Sequence, residues 1–96
     1  MMRVGTLTIE FRLHGVFSKK EKRSLSASLK QKLRNKFNVA VAEIDALDSL
    51  DSLVLSVVTV SNETRRVQSV LSKTLAMIES SNLDEIVDVS MEVFQG

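Results

Sequence analysis

One helical stretch, Ser18 to Phe37, narrows the possible folds most, because it is set between runs whose apolar residues alternate. Ser18 and Glu21 have the capping-box spacing: the serine oxygen accepts from the backbone N–H three residues on, and the glutamate reaches back to the serine N–H. Leu25, Leu29, Leu33 and Phe37 recur every four residues, so they share one side and bury it. Asn38 suits the left-handed exit that ends a helix. Start, face and stop all point to the same element.

The runs around it supply the sheet. From Val4 to Leu13, Leu7, Ile9, Phe11 and Leu13 fall on one side and Thr6, Thr8, Glu10 and Arg12 on the other, the pattern of a half-buried strand. His14 to Phe17 make the turn, and Phe17 occupies the position from which a hydrophobic staple would reach the aliphatic stem of Lys22. Valine-rich runs at Val39–Asp45 and Leu53–Val60, joined by a short acidic connector, predict a hairpin. Ser61, Asn62 and Glu63 open a second helix, which buries Val67, Val70, Leu71, Thr74, Leu75 and Ile78 and stops at Ser80, Ser81 and Asn82. Ile86 to Phe94 alternates again, with Val87, Val89, Met91 and Val93 inward.

The order is strand, helix, strand, strand, helix, strand. Right-handed crossovers put both helices on one face of one sheet, which is the ferredoxin-like α+β sandwich: a four-stranded antiparallel sheet in a single domain over residues 1–96. Its first and third strands are central. The third carries Leu53, Leu55 and Val57 on one side and Val54, Val58 and Val60 on the other, so branched aliphatics face outward whichever side meets the helices. A monomer seldom leaves such a patch open, and a homodimer through the open sheet face is expected.

Composition removes several classes of function. Cysteine is absent, so there is no disulfide, thiolate metal site or cysteine nucleophile. Proline is absent too, where average usage of about 5% predicts several, so no linker divides the chain. No apolar run approaches the roughly 18 to 20 residues of a membrane span, and the N-terminus alternates where a signal peptide would be continuously apolar. A cytoplasmic protein with no membrane partner is expected.

Catalytic chemistry finds little to work with. His14 is the sole histidine, and no serine–histidine–carboxylate spacing accompanies it. Asp45, Asp48 and Asp51 recur around the hairpin connector without the glycine or twelfth-position glutamate of a calcium loop, which leaves them as solvated acids. Acylphosphatases share this fold and cradle phosphate in the loop after the first strand, where a glycine–valine pair leads to an arginine. Gly15-Val16 is present here, but no arginine follows before Ser18. The expectation is a protein that is not an enzyme, with no cofactor and no metal.

Charge is where the chain is unusual. Residues 19–36 hold eight cations against Glu21 alone, a net of +7, whereas residues 37–96 hold three against ten carboxylates, a net of −7. At about 100° per residue, Arg23, Lys30 and Arg34 lie on one flank of the leucine stripe and Lys32 and Lys36 on the other. Ser24, Ala27, Ser28 and Gln31 form a small-residue strip between them that lets a polyanion approach closely. The same pattern also suits a solvated helix that uses lysine for solubility. The central strands offer no outward aromatic for stacking bases, so any nucleic acid would meet this helix through its phosphates. The candidate contacts are Lys19, Lys20, Arg23, Lys30 and Arg34.

Three motifs resemble one family. Ser18, Lys20, Glu21, Lys22 and Arg23 resemble its S-L-K-E-K-R signature, Phe37 to Asp45 resembles F-N-V-S-V-A-E-V-D, and Val60-Ser61-Asn62 resembles V-S-N. These are similar to the bacterial YlxP-like group of small proteins of unknown function, along nearly the whole chain. Lys19 stands where the signature has leucine, and Leu50 near where many members carry tryptophan. The resemblance implies a ferredoxin-like fold and transfers no catalytic residue. Genes of the group often neighbour those for a translation initiation factor and ribosome-binding factor A, which implies an RNA or ribosome role by association. The expected function is a non-enzymatic accessory protein docking on RNA or the ribosome through the basic helix, the alternative being a homo-oligomeric module for an acidic protein partner.

Overall fold

The computed structural model describes residues 1–81 and 85–96. Strands β1 (Arg3–Arg12), β2 (Ala40–Asp45), β3 (Ser52–Ser61) and β4 (Glu85–Gln95) alternate with helices α1 (Lys19–Lys36) and α2 (Thr64–Ser80) in the order βαββαβ. They form one antiparallel sheet ordered β2-β3-β1-β4, so β1 and β3 are central as the topology requires. The fold is ferredoxin-like.

The register of the central pair settles which side chains are buried. Gly5 faces Thr59, Leu7 faces Val57, Ile9 faces Leu55 and Phe11 faces Leu53, and all eight are buried beneath the helices. Leu29 and Leu33 from α1 and Val67, Leu71 and Ile78 from α2 close this core. On the other side of the sheet, Val4 lies between Val60 and Phe94, and Thr6 between Val58 and Glu92. The strip continues with Thr8 against Ser56 and Ser90, where the Thr8 and Ser56 hydroxyls are 3.1 Å apart. Beyond it, Glu10 stands beside Asp88 and Val54. A bulge between Glu10 and Phe11 takes Val87 out of the alternation; Val87 is exposed and does not join the inward row that alternation predicts.

The start of α1 holds and that of α2 differs. The Glu21 N–H donates to Ser18 Oγ at 3.1 Å, while the Glu21 carboxylate accepts from the Phe17 N–H at 3.4 Å, one residue earlier than the capping box expects. The second helix starts at Thr64 with an extended Glu63 as its N-cap, which makes no side-chain cap bond and leaves no acid in the first turn; the Ser61 hydroxyl instead accepts from the Glu63 N–H at 3.3 Å. At its other end Ser81 donates to the Ile78 carbonyl at 2.6 Å. Asn82, part of the expected stop, lies outside the described residues.

Two local expectations fail. Asn38 adopts no left-handed conformation: α1 leaves through an extended Phe37, and the Asn38 carbonyl accepts from Thr59 Oγ1 at 2.9 Å. Pairing with β3 thus substitutes for a local helix-ending turn. Phe17 is 82% exposed, so no staple forms; the stem that would cover it is used elsewhere.

The helix α2 lies over β1 and β3, and α1 over β2. The close approach of α2 depends on Gly5. A Cβ there would overlap the Val67 Cγ1 methyl and come within 2.8 Å of Leu71 Cδ1. Val67 is β-branched and cannot swing aside, so the helix itself would have to lift. Gly5→Ala is therefore expected to cost about 2 kcal/mol of stability through overpacking, read as a lowered urea midpoint with unchanged slope. An unshifted midpoint would mean that α2 has slack over β1.

Candidate functional site

The basic helix is positioned by its buried side. Leu29 and Leu33 are buried, Leu25 and Phe37 are half-buried, and two residues that the four-residue spacing does not single out join them: Lys22 and Ser26. All of these lie on the face turned to the sheet, which leaves the cationic flanks in solvent.

Lys22 is 3% exposed. Its Nζ donates to the carbonyls of Ala46 and Ser49, both at 2.7 Å, and stands 3.0 Å from Glu43 Oε2. That last approach is close but out of line for a hydrogen bond, so it acts through charge. The lysine that spacing assigns to a staple instead ties α1 to β2 and to the β2–β3 connector. Ala46 in that connector has φ +54°, a left-handed conformation that an alanine adopts only under constraint. Its N–H donates to Asp45 Oδ1 at 2.7 Å and its carbonyl is held by Lys22. A signal did exist in the sequence: Lys22 sits four residues before Ser26 and seven before Leu29, within the buried stripe.

With Lys22 removed from the surface, the other seven cations of α1 remain. Lys19 reaches Asp48 of the acidic connector at 3.3 Å, but both side chains are well exposed, so water screens the pair and it contributes little. Lys20, Arg23 and Arg34 are exposed and Lys30 is half-buried. Among the described residues none of these four has a carboxylate within 4.0 Å. All five candidates therefore stand on one accessible ridge, and only Lys19 is partly neutralised. On α2, Arg66 pairs weakly with Glu63 at 3.8 Å, and Arg3 donates to Thr64 Oγ1 at 3.2 Å.

Concavities also mark the surface among the described residues, one of them at the β2–β3 margin beside Ala40, Val58 and Val60 and two nearer the helices and the end of β1. One, at the end of β1, is lined by Glu10, Arg12, His14, Asp51 and Val87 among others. His14 meets Glu85 beside it at 3.3 Å, an exposed contact. The other lies between the helices, where Lys36 and Lys73 flank Phe37, Ala76 and Met77. Among the described residues, no three histidines or carboxylates converge as a metal site, and no helix is long and apolar enough to cross a membrane.

The two buried polar residues of α1 should respond oppositely to truncation. Lys22→Ala leaves two carbonyls and Glu43 without their cation and is expected to cost about 3 kcal/mol, against less than about 0.5 kcal/mol for Lys20→Ala on the surface. Ser26 is 2% exposed with no hydrogen-bond partner for its hydroxyl among the described residues. Ser26→Ala should therefore stabilise by about 1 kcal/mol, by removing a desolvated hydroxyl and improving helix propensity. Urea unfolding of the three variants separates these outcomes; equal losses for Lys22→Ala and Lys20→Ala would refute the tether.

Comparison with known proteins bears on fold and family. Among solved structures, the de novo designed protein Foldit4 aligns with a TM-score of 0.63 at 11% identity, covering 100% of this chain and 99% of that one. SnoaB, a cofactor-independent oxygenase from Streptomyces nogalater, aligns with a TM-score of 0.54 at 14% identity, covering 97% and 92%. A dimeric ferredoxin-like protein of unknown function from Thermobifida fusca gives 0.46 at 14% identity over 99% and 92%. At such identities the first two likenesses speak for the fold alone. No curated protein sequence matches the chain. A family model described as "Protein of unknown function (DUF503)" matches residues 4–91, nearly the whole chain, and this protein belongs to that family.

Proposed function

We propose that the protein is a non-enzymatic accessory factor that docks on structured RNA or the ribosome, with Lys19, Lys20, Arg23, Lys30 and Arg34 contacting phosphates. The observation that carries this reading is the ridge itself: Lys20, Arg23, Lys30 and Arg34 have no carboxylate within 4.0 Å among the described residues, on a chain whose remainder is acidic. Unpaired cations on a rigid helix release counterions when they meet a polyanion, and that release drives salt-dependent binding. The YlxP-like resemblance, with its translation-linked gene neighbourhood, supports the same direction. We infer as well that the protein works in the cytoplasm and as a homodimer through its open sheet face.

A second reading has its own observation. Lys36 and Lys73 flank an apolar floor of Phe37, Ala76 and Met77 between the helices, a groove suited to an acidic peptide with apolar side chains. In that case the chain is a homo-oligomeric interaction module.

Sedimentation with ribosomal subunits at low and raised salt tests the first reading. Lys30→Glu/Arg34→Glu is expected to abolish cosedimentation at physiological salt and to flatten the slope of log affinity against log salt by about 2, roughly one for each phosphate left without its cation. Added short duplex RNA should displace the wild type from subunits. If the double variant sediments like the wild type, the ridge is not the docking surface; if duplex RNA leaves the complex intact, the acidic-protein reading takes its place.

A further inference from the structure

The outward side of the sheet is not uniform. Toward one end it is apolar, with Val60 52% and Phe94 47% exposed, Val58 exposed beside them and Val4 half-buried between. Along β4 and toward the other end it is acidic, through Glu92, Asp88 and Glu10. The opposite margin, in β2, carries Ala40 and Ala42 and, past a bulge, Asp45 beside Val54.

Four strands about 4.8 Å apart and ten residues rising about 3.3 Å each give a footprint of roughly 600 Å² before side-chain relief is counted. A stable interface buries about 800 Å² of accessible surface per partner, so the face is of the right size for one further sheet. That sheet has to match both an apolar patch and an acidic margin.

Two copies packed face to face share a two-fold axis lying between their sheets, and the residues contacting one another are the same on both sides. Aligned packing leaves two directions for that axis. An axis across the strands sets Glu92 over Asp88 of the other copy, and the apolar end over the charged end; like charges then meet in a drying interface. An axis along the strands, between β1 and β3, sets Val4 over Val60 and Thr6 over Val58 and matches the apolar ends; it brings Glu92 over the uncharged Ala40 and leaves one like-charge approach, Asp88 over Asp45, at the far margin.

We propose that a second copy of this chain covers the open sheet face about a two-fold axis parallel to the strands, with Val58, Val60 and Val4 of the two copies packed together at its apolar end. This deepens the homodimer inferred above and fixes its geometry. The helices then lie on the two outer surfaces of the pair, so both α1 ridges stay accessible and point away from each other. If the ridge binds RNA, the assembly is bivalent.

Light scattering and sedimentation equilibrium of the full chain test this. The wild type should have twice the 10.7 kDa chain mass. Val58→Asp and Thr6→Asp, both on the outward face, should each weaken the dimer about 100-fold or more with unchanged circular dichroism. Using two variants guards against misfolding of one. Lys30→Glu/Arg34→Glu should keep the doubled mass. A wild type that stays at 10.7 kDa up to about 100 μM overturns the proposal, as does a dimer that survives both face variants or is lost in the ridge variant. Glu92→Lys reports the axis: dimer affinity within about tenfold of wild type supports it, and a greater tightening means that Glu92 meets Asp88 and refutes it. A doubled mass without cosedimentation with ribosomal subunits leaves this interface standing while removing the RNA reading.

Discussion

Position 5 has no side chain, and α2 can lie directly on the central strands for that reason. The methyls of Val67 and Leu71 occupy the space a Cβ would take. Once α2 is seated there, the inward row of β1 and β3 is sealed from water, and Leu7, Ile9, Leu55 and Val57 are fully buried at the heart of the hydrophobic core. The register between those two strands then decides every other face. A slip of one residue would turn the core out and the threonines in.

The helix α1 is held differently. It lies over β2, at the sheet margin, and its attachment mixes Leu29 and Leu33 with the buried ammonium of Lys22. An apolar side chain at position 22 would take the cation from the carbonyls of Ala46 and Ser49 and leave the left-handed Ala46 only its local bonds to Ser49 and Asp45. The connector is thus held from the helix as well as by its own turn, in which the Ser49 N–H donates to the Ala46 carbonyl at 3.0 Å. The basic ridge and the acidic connector come out as neighbours, although the Lys19–Asp48 pairing between them is weak.

Much of this was legible beforehand because it is periodic. Strand alternation, the four-residue leucine spacing and the Ser18 cap are local patterns, and local patterns survive folding when the global fold agrees with them. What misled were positions where a distant partner overrides the local rule. Asn38 gave way to its bond with Thr59, and Phe17 lost its covering stem to carbonyls about two dozen residues further along the chain. Val87 left the alternation at a bulge that no spacing announces. The cations of the candidate site could be counted from the sequence, but not their partners. Only tertiary structure distinguishes Lys22, tied down inside, from Lys20 two residues earlier, in water.

The margin of the sheet formed by β4 has a further implication. It is eleven residues long, and its outer backbone groups are offered to whatever strand arrives. Proline, the usual guard, is absent from the chain, and β4 contains no lysine or arginine; it carries Glu85, Asp88 and Glu92. Negative charge, together with the bulge at Val87, therefore keeps one molecule's border from zipping onto another's. Colloidal behaviour should follow from this: concentrated salt, by screening those carboxylates, would turn a discrete particle toward ribbon-like growth.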